Sequence, residues 1–205
     1  MRRLVDRFTR GLPPSYRVTI EWLTTIAFAL AVVGGAKAWV VSPYRIPTSS
    51  MEPTLHCARG GGVTADGCEG RFSDRVIAAR FVYFFRDPRR GEVVVFHVPA
   101  RAKVACSGAG GVFVKRLIGL PGDTVTVTDA GFVKIDGKPL AEPYVHADRR
   151  GGVSGTWHVP KGEYFFMGDN RRLSCDSRQW GSVPRGNLIG PLVVTYWPPD
   201  RVSTH

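Results

Sequence analysis

Apolar and polar positions divide the chain into two unlike parts. From Trp22 to Val41 the sequence runs WLTTIAFALAVVGGAKAWVV, almost entirely apolar, with Lys37 its one charge. A helix of about twenty such residues rises about 30 Å, the thickness of a bilayer's hydrocarbon core. Lys37 lies near the end of the run, where its stem can carry the ammonium to the interface, and Trp22 and Trp39 stand where aromatic belts form. The pattern predicts a membrane-spanning helix over 18–42. A cleavable secretory signal has a similar outline, but its apolar core is only about 7 to 15 residues long and a small-residue cleavage site follows it. Here the chain continues directly into SPYRIPTSSMEPT.

After Pro43 the pattern changes to short segments broken by turns. RVIAARFVYFF, GEVVVFHV, GVFVKRLIGL, EYFFMGDN and NLIGPLVVTYW read as strands. TVTVTDAGFVKIDGKPL reads as two hairpins in series, with DAG and DG at the turns. HCARGGGVTADGCEG and RAKVACSGAGG, rich in small residues, read as loops, and no later run has the length and period of a good helix. The expected fold is mainly β, with one N-terminal transmembrane helix followed by a single antiparallel β-sheet domain. Its parts are a basic segment 1–17, the anchor 18–42 and a β-rich domain 43–205.

Charge gives this layout a direction. The net charge is +11, and Arg2, Arg3, Arg7, Arg10 and Arg17 face only Asp6 ahead of the apolar run. Basic residues flanking an anchor stay in the cytoplasm, which places the N-terminus inside and everything after residue 42 outside. Anionic phospholipid headgroups are the expected polyanionic neighbour, and no nucleic-acid-binding motif competes with them. Cys57, Cys68, Cys106 and Cys175 form no C-x-x-C pair and have no histidine at zinc-site spacing, so no metal is expected. Outside the cytoplasm disulfides are permitted, and Cys57 with Cys68, in one Gly-rich loop, is the first choice.

Three segments carry candidate chemistry. Ser50, in IPTSSMEPTL, lies between Pro47 and Pro53, which restrict the backbone on both sides. A serine hydroxyl needs a neighbouring base, and none of the five histidines sits in a triad setting. Lys115, in GVFVKRLIGL, follows Phe113 and Val114. Burial of its stem disfavours the ammonium and brings the amine toward a pKa at which it can accept a serine proton. The third segment, GDNRRLSCDSRQWG, is dense in groups able to fix one another. Ser174 and Ser177 can bond an amine, Asp176 can pair with Arg178, and Asp169 can hold Arg171 or Arg116.

SMEPT, KRLIGLPGD and GDNRRLSCDSRQWG, in that order after an apolar anchor, resemble the bacterial type I signal peptidases. RRGEVVVF is also similar to the strand that precedes the lysine motif in that family, so the likeness runs from the anchor to Gly181. The resemblance implies a serine endopeptidase with Ser50 as nucleophile and Lys115 as base. Thr48 then forms the oxyanion hole with the Ser50 N–H, and Ser174 orients the lysine amine. Arg116, Asp169, Asp176 and Arg178 shape the site. Ile46, Pro47, Met51, Leu55, Phe113 and Val114 are the candidates for shallow apolar substrate pockets. The implied substrates are secretory precursors with small residues at the first and third positions before the cut. The implied reaction needs no cofactor, and a monomer is expected. The chain departs from the family pattern at Ser49, usually Gly, and at Cys175, usually a small apolar residue. Cys175 could be packed, bonded to Cys106, or a free thiol beside the site.

Overall fold

The computed structural model describes residues 13–39, 41–59, 67–106 and 110–205. Arg2, Arg3, Asp6, Arg7 and Arg10 of the basic segment lie outside the described residues. The chain divides into two compact units at Val41.

The first unit contains one long helix, α1 (Pro14–Trp39). Its window Val18–Gly35 has a mean hydropathy of 1.7, and none of it is buried against protein. Thr24 and Thr25 donate their hydroxyls to the carbonyls of Ile20 and Glu21, so neither hydroxyl needs a solvent partner. The helix starts before the predicted 18 and stops before the predicted 42. Pro43 disfavours helical backbone at Ser42, and Val41–Arg45 is already a strand, β1.

The second unit is mainly β. After β1 come β2 (Arg75–Ala79), β3 (Val93–His97), β4 (Val112–Gly119), β5 (Thr124–Val127), β6 (Val133–Ile135), β7 (Lys138–Pro139), β8 (Gly155–His158), β9 (Glu163–Met167), β10 (Val183–Pro184), β11 (Leu188–Trp197) and β12 (Ser203–Thr204). One sheet has the order β1-β2-β11-β3-β4-β9-β10, with β12 on β11, and a smaller one has the order β7-β6-β5-β8. The strand pairs of known register are antiparallel. Phe96, Leu117 and Phe166 centre one apolar cluster, and Ile118, Val125 and Phe165 centre a second. The expected double hairpin of 124–139 is present as β5, β6 and β7.

Two expectations are corrected. RVIAARFVYFF is a strand only to Ala79; Val82–Phe85 turns into a short helix, α2, which leaves Phe84 and Phe85 exposed. RAKVACSGAGG is not wholly loop, because Ala100–Ala105 forms α3, which packs Ala102 into the first cluster. A fourth helix, α4 (Ser177–Trp180), lies in the polar motif and buries Trp180. All three are single turns or little more, too short to show a helical period in sequence.

Candidate active site

Ser50 sits in a 3₁₀ turn, Ser49–Met51, entered from extended backbone at Thr48. The hydroxyls of Thr48 and Ser50 lie 3.3 Å apart. Asn170 fixes this turn from across the unit: its backbone N–H donates to the Ser50 carbonyl (3.1 Å), and its Nδ2 donates to the Ser49 carbonyl (3.1 Å). Gly168, just beyond β9, comes so close that a Cβ there would meet the Ser50 carbonyl at 2.4 Å and the Ser174 hydroxyl at 2.3 Å. Only glycine allows the residues after β9 to press against the backbone of Ser50.

Lys115 lies on β4, opposite Val94 of β3, on the face that Phe113 and Leu117 share by alternation. Its Nζ is hydrogen-bonded to the Ser50 Oγ. The side chain is 4% exposed. Burial lowers its pKa to about 8; Asp176 and Asp169 act against that shift and Arg178 adds to it. Arg116, one residue on, faces the other way. It forms a bidentate pair with Asp169 (2.8 and 2.6 Å), bonds the Gly91 carbonyl and stacks over Tyr144. Two adjacent cations thus take different parts, one kept near a neutral amine and one permanently paired.

Asp176 caps α4, and its carboxylate accepts from the Gly168 N–H (3.0 Å) and from Arg178 Nε (2.8 Å). Arg178 also reaches the carbonyls of Arg171 and Gly151. Of the two partners open to Asp169, Arg116 takes it, joined by the Thr54 hydroxyl (2.5 Å). Arg171 pairs with buried Glu142 and bonds the Gly168 carbonyl (2.9 Å). Ser174 Oγ is buried, with no hydrogen-bond partner among the described residues. Ser177 accepts instead from the Phe166 N–H (3.0 Å), supporting β9 and leaving the amine.

Ser50 and Lys115 open into a cleft of about 530 Å³, walled by Tyr44, Ile46, Pro47, Met51, Phe113 and Val114. β1 and the start of β4 supply Tyr44, Phe113 and Val114, and the segment from Ile46 to Met51 supplies the rest. Leu55 does not line the cleft: it is fully buried with Val76, Val93 and Leu192, because its N–H bonds the Met51 carbonyl and turns the side chain into the core. Both disulfides, Cys57–Cys68 and Cys106–Cys175, are formed, which resolves the state of Cys175. The second lines the cleft with Leu173 and Gln179. Asn170 and Glu142 escaped the sequence reading, as did Leu173, for which the available signal was one apolar residue within the polar stretch GDNRRLSCDSR. Glu52, His56 and Glu69 bring ligand-type atoms within 4.8 Å of one another. Glu52 instead accepts from the N–H groups of Cys57 and Glu69 and contacts His56, while Glu69 pairs with Arg149. These contacts hold Glu52, Cys57 and Glu69 together.

Residues 19–197 match the family model described as signal peptidase, peptidase S26. A signal peptidase I from Leptolyngbya laminosa is 37% identical, with 90% of this chain and 82% of the relative aligned. A signal peptidase I from Mycobacterium tuberculosis is 31% identical, with 92% and 76% aligned. A crystal structure of a signal peptidase I from Enterococcus faecalis is similar over 53% of this chain and 98% of its own, at 31% identity and a TM-score of 0.43.

Proposed function

The chain belongs to the signal peptidase family, peptidase S26, and is a serine endopeptidase; from that premise we propose that it cuts signal peptides from secretory precursors at the membrane by a Ser50–Lys115 dyad. One observation carries this reading: a buried lysine amine, its pKa lowered to about 8, in contact with the hydroxyl of a serine that opens into an apolar cleft.

The uncharged Lys115 Nζ takes the Ser50 proton as Oγ bonds to the scissile carbonyl carbon. The oxygen that gains charge is met by the Ser50 N–H and the Thr48 hydroxyl, 3.3 Å from the attacking oxygen. Lys115 returns the proton to the departing amine, and the mature protein leaves. Neutral again, it takes a proton from water as the water oxygen bonds to the ester carbon; the bond from that carbon to Ser50 Oγ then breaks, Lys115 returns the proton to Oγ, and the signal fragment leaves. Arg116, Asp169, Asp176 and Arg178 hold the surrounding loops and do not touch the reacting atoms. The part of orienting the amine is assigned to Ser174, whose buried hydroxyl stands next to Gly168 and makes no hydrogen bond among the described residues. The substrate runs extended along the cleft, with Ile46, Pro47, Met51, Phe113 and Val114 forming pockets for small side chains.

The α1 helix is the anchor, with the basic N-terminus in the cytoplasm and residues 43–205 outside, against anionic phospholipids. Two disulfides support an oxidising compartment for that domain. The enzyme acts as a monomer. Purified full-length chain in detergent, given a precursor with a cleavable signal, tests the function. Ser50→Ala and Lys115→Ala should release no mature product while still unfolding in one cooperative thermal transition, and wild-type processing by Ser50→Ala would end the proposal.

A further inference from the structure

We infer that Asn170 is a positioning residue for the oxyanion hole, acting through the peptide plane that carries the Ser50 N–H. The inference rests on the Ser50–Lys115 reading above. Asn170 contacts both peptide units that flank Ser50: its Nδ2 donates to the Ser49 carbonyl and its backbone N–H to the Ser50 carbonyl. The Ser49–Ser50 peptide is trans, so its C=O and N–H point in opposite directions. Holding the Ser49 oxygen therefore fixes the direction of the Ser50 N–H, which points away from the Asn170 amide.

The second bond is not required to satisfy the Ser49 carbonyl. That oxygen already accepts from the Glu52 N–H within the turn (3.0 Å). What the side chain adds is a tether from another part of the unit, which a local turn bond cannot provide. The other end of the amide gives the same indication: Asn170 is fully buried, and its Oδ1 has no hydrogen-bond partner among the described residues. An amide kept with its acceptor unmatched is held for its donor. Oxyanion-hole donors are effective because they are aimed before charge develops, and a peptide plane free to rock loses that advantage.

Asn170→Ala removes one hydrogen bond and leaves the backbone N–H of residue 170 on Ser50, so the turn keeps two of its three tethers. With the full-length enzyme in detergent and a peptide spanning a cleavage site, kcat should fall by about 10- to 100-fold, with KM within threefold of the parent. Binding of a peptide aldehyde, whose adduct places an oxyanion in the hole, should weaken by the same factor as kcat/KM. Asn170→Asp fills the same volume but turns an acceptor toward the Ser49 carbonyl, so it should lose more kcat than Asn170→Ala. An unchanged kcat, or a loss that follows KM or melting temperature with aldehyde affinity intact, overturns the inference. Ser50→Ala in the same assay separates the two ideas: if it stays active, the dyad reading fails, whereas an inactive Ser50→Ala beside a fully active Asn170→Ala removes only the role given to Asn170.

Discussion

Lys115 Nζ and Ser50 Oγ meet across 65 residues of sequence, one on a central strand and the other in a turn braced by the 168–181 motif. Neither side chain is reactive alone. In the proposed mechanism their contact, with the amine buried, is what makes a proton transfer at moderate pH possible.

Activity should follow the protonation of that amine. With the pKa of Lys115 at about 8, kcat/KM should rise with pH through about 8 and level above it. The stability sign is the same. Between about 8 and the lysine's ordinary 10.5 the unfolded chain binds more protons than the folded one, so this group makes the fold more stable as pH rises across that window. Lys115→Arg should lose about 10²- to 10⁴-fold in rate, because a guanidinium cannot give up its proton. A flat rate profile between pH 7 and 9 would contradict the assignment.

Thr48 offers a second check. Thr48→Val keeps the shape and removes the hydroxyl, and should cost about 10²-fold in kcat with KM little changed. Thr48→Ser should keep most of the activity. Retained activity in Thr48→Val beside a loss in Thr48→Ser would show that the methyl group, not the hydroxyl, matters.

The Cys106–Cys175 bridge closes 69 residues and the Cys57–Cys68 bridge 11. Chain entropy assigns about 4 kcal/mol to the longer loop and about 3 kcal/mol to the shorter. Cys106→Ser with Cys175→Ser should therefore lower the melting temperature by about 10 °C. It should also raise KM, since this bridge walls the cleft. An unchanged KM would mean the bridge is structural only.

Much of the site was legible because its chemistry is local. Ser50 between two prolines, Lys115 after Phe113 and Val114, and the dense motif from Gly168 each announce themselves within about a dozen residues. The partners that complete them were not local. Nothing in EPYVHADRR marks Glu142 as the buried counter-ion of Arg171, because distance along the chain hides the pairing. Asn170 reads as an ordinary turn residue until the fold brings Ser49 and Ser50 to it. Leu55 was misread for a related reason: closeness in sequence to the nucleophile did not decide which way its side chain points. In the fold, RFVYFF has the composition of a strand, yet tertiary context ends the strand at Ala79 and starts a helical turn at Val82.

Arg171 and Glu142 supply the stability test that follows. Both are about 1% exposed, and Arg171 also holds the Gly168 carbonyl. Arg171→Ala would leave buried Glu142 only its longer pair with Arg150 (3.5 Å) and the Tyr144 hydroxyl, and should cost about 3 kcal/mol in urea unfolding. Replacing both residues by apolar ones of similar size should recover much of that loss, and a cost under 1 kcal/mol for the single change would show the pair to be unimportant.

The charge state of Lys115 tests the account most directly. The ¹³Cε resonance of this lysine, followed by NMR against pH in the folded wild-type enzyme and assigned with Lys115→Arg, reports protonation without any assay of cleavage. A midpoint near 8 is the expected result. A midpoint at the ordinary 10.5 would leave Ser50 without a base at working pH and would contradict the mechanism.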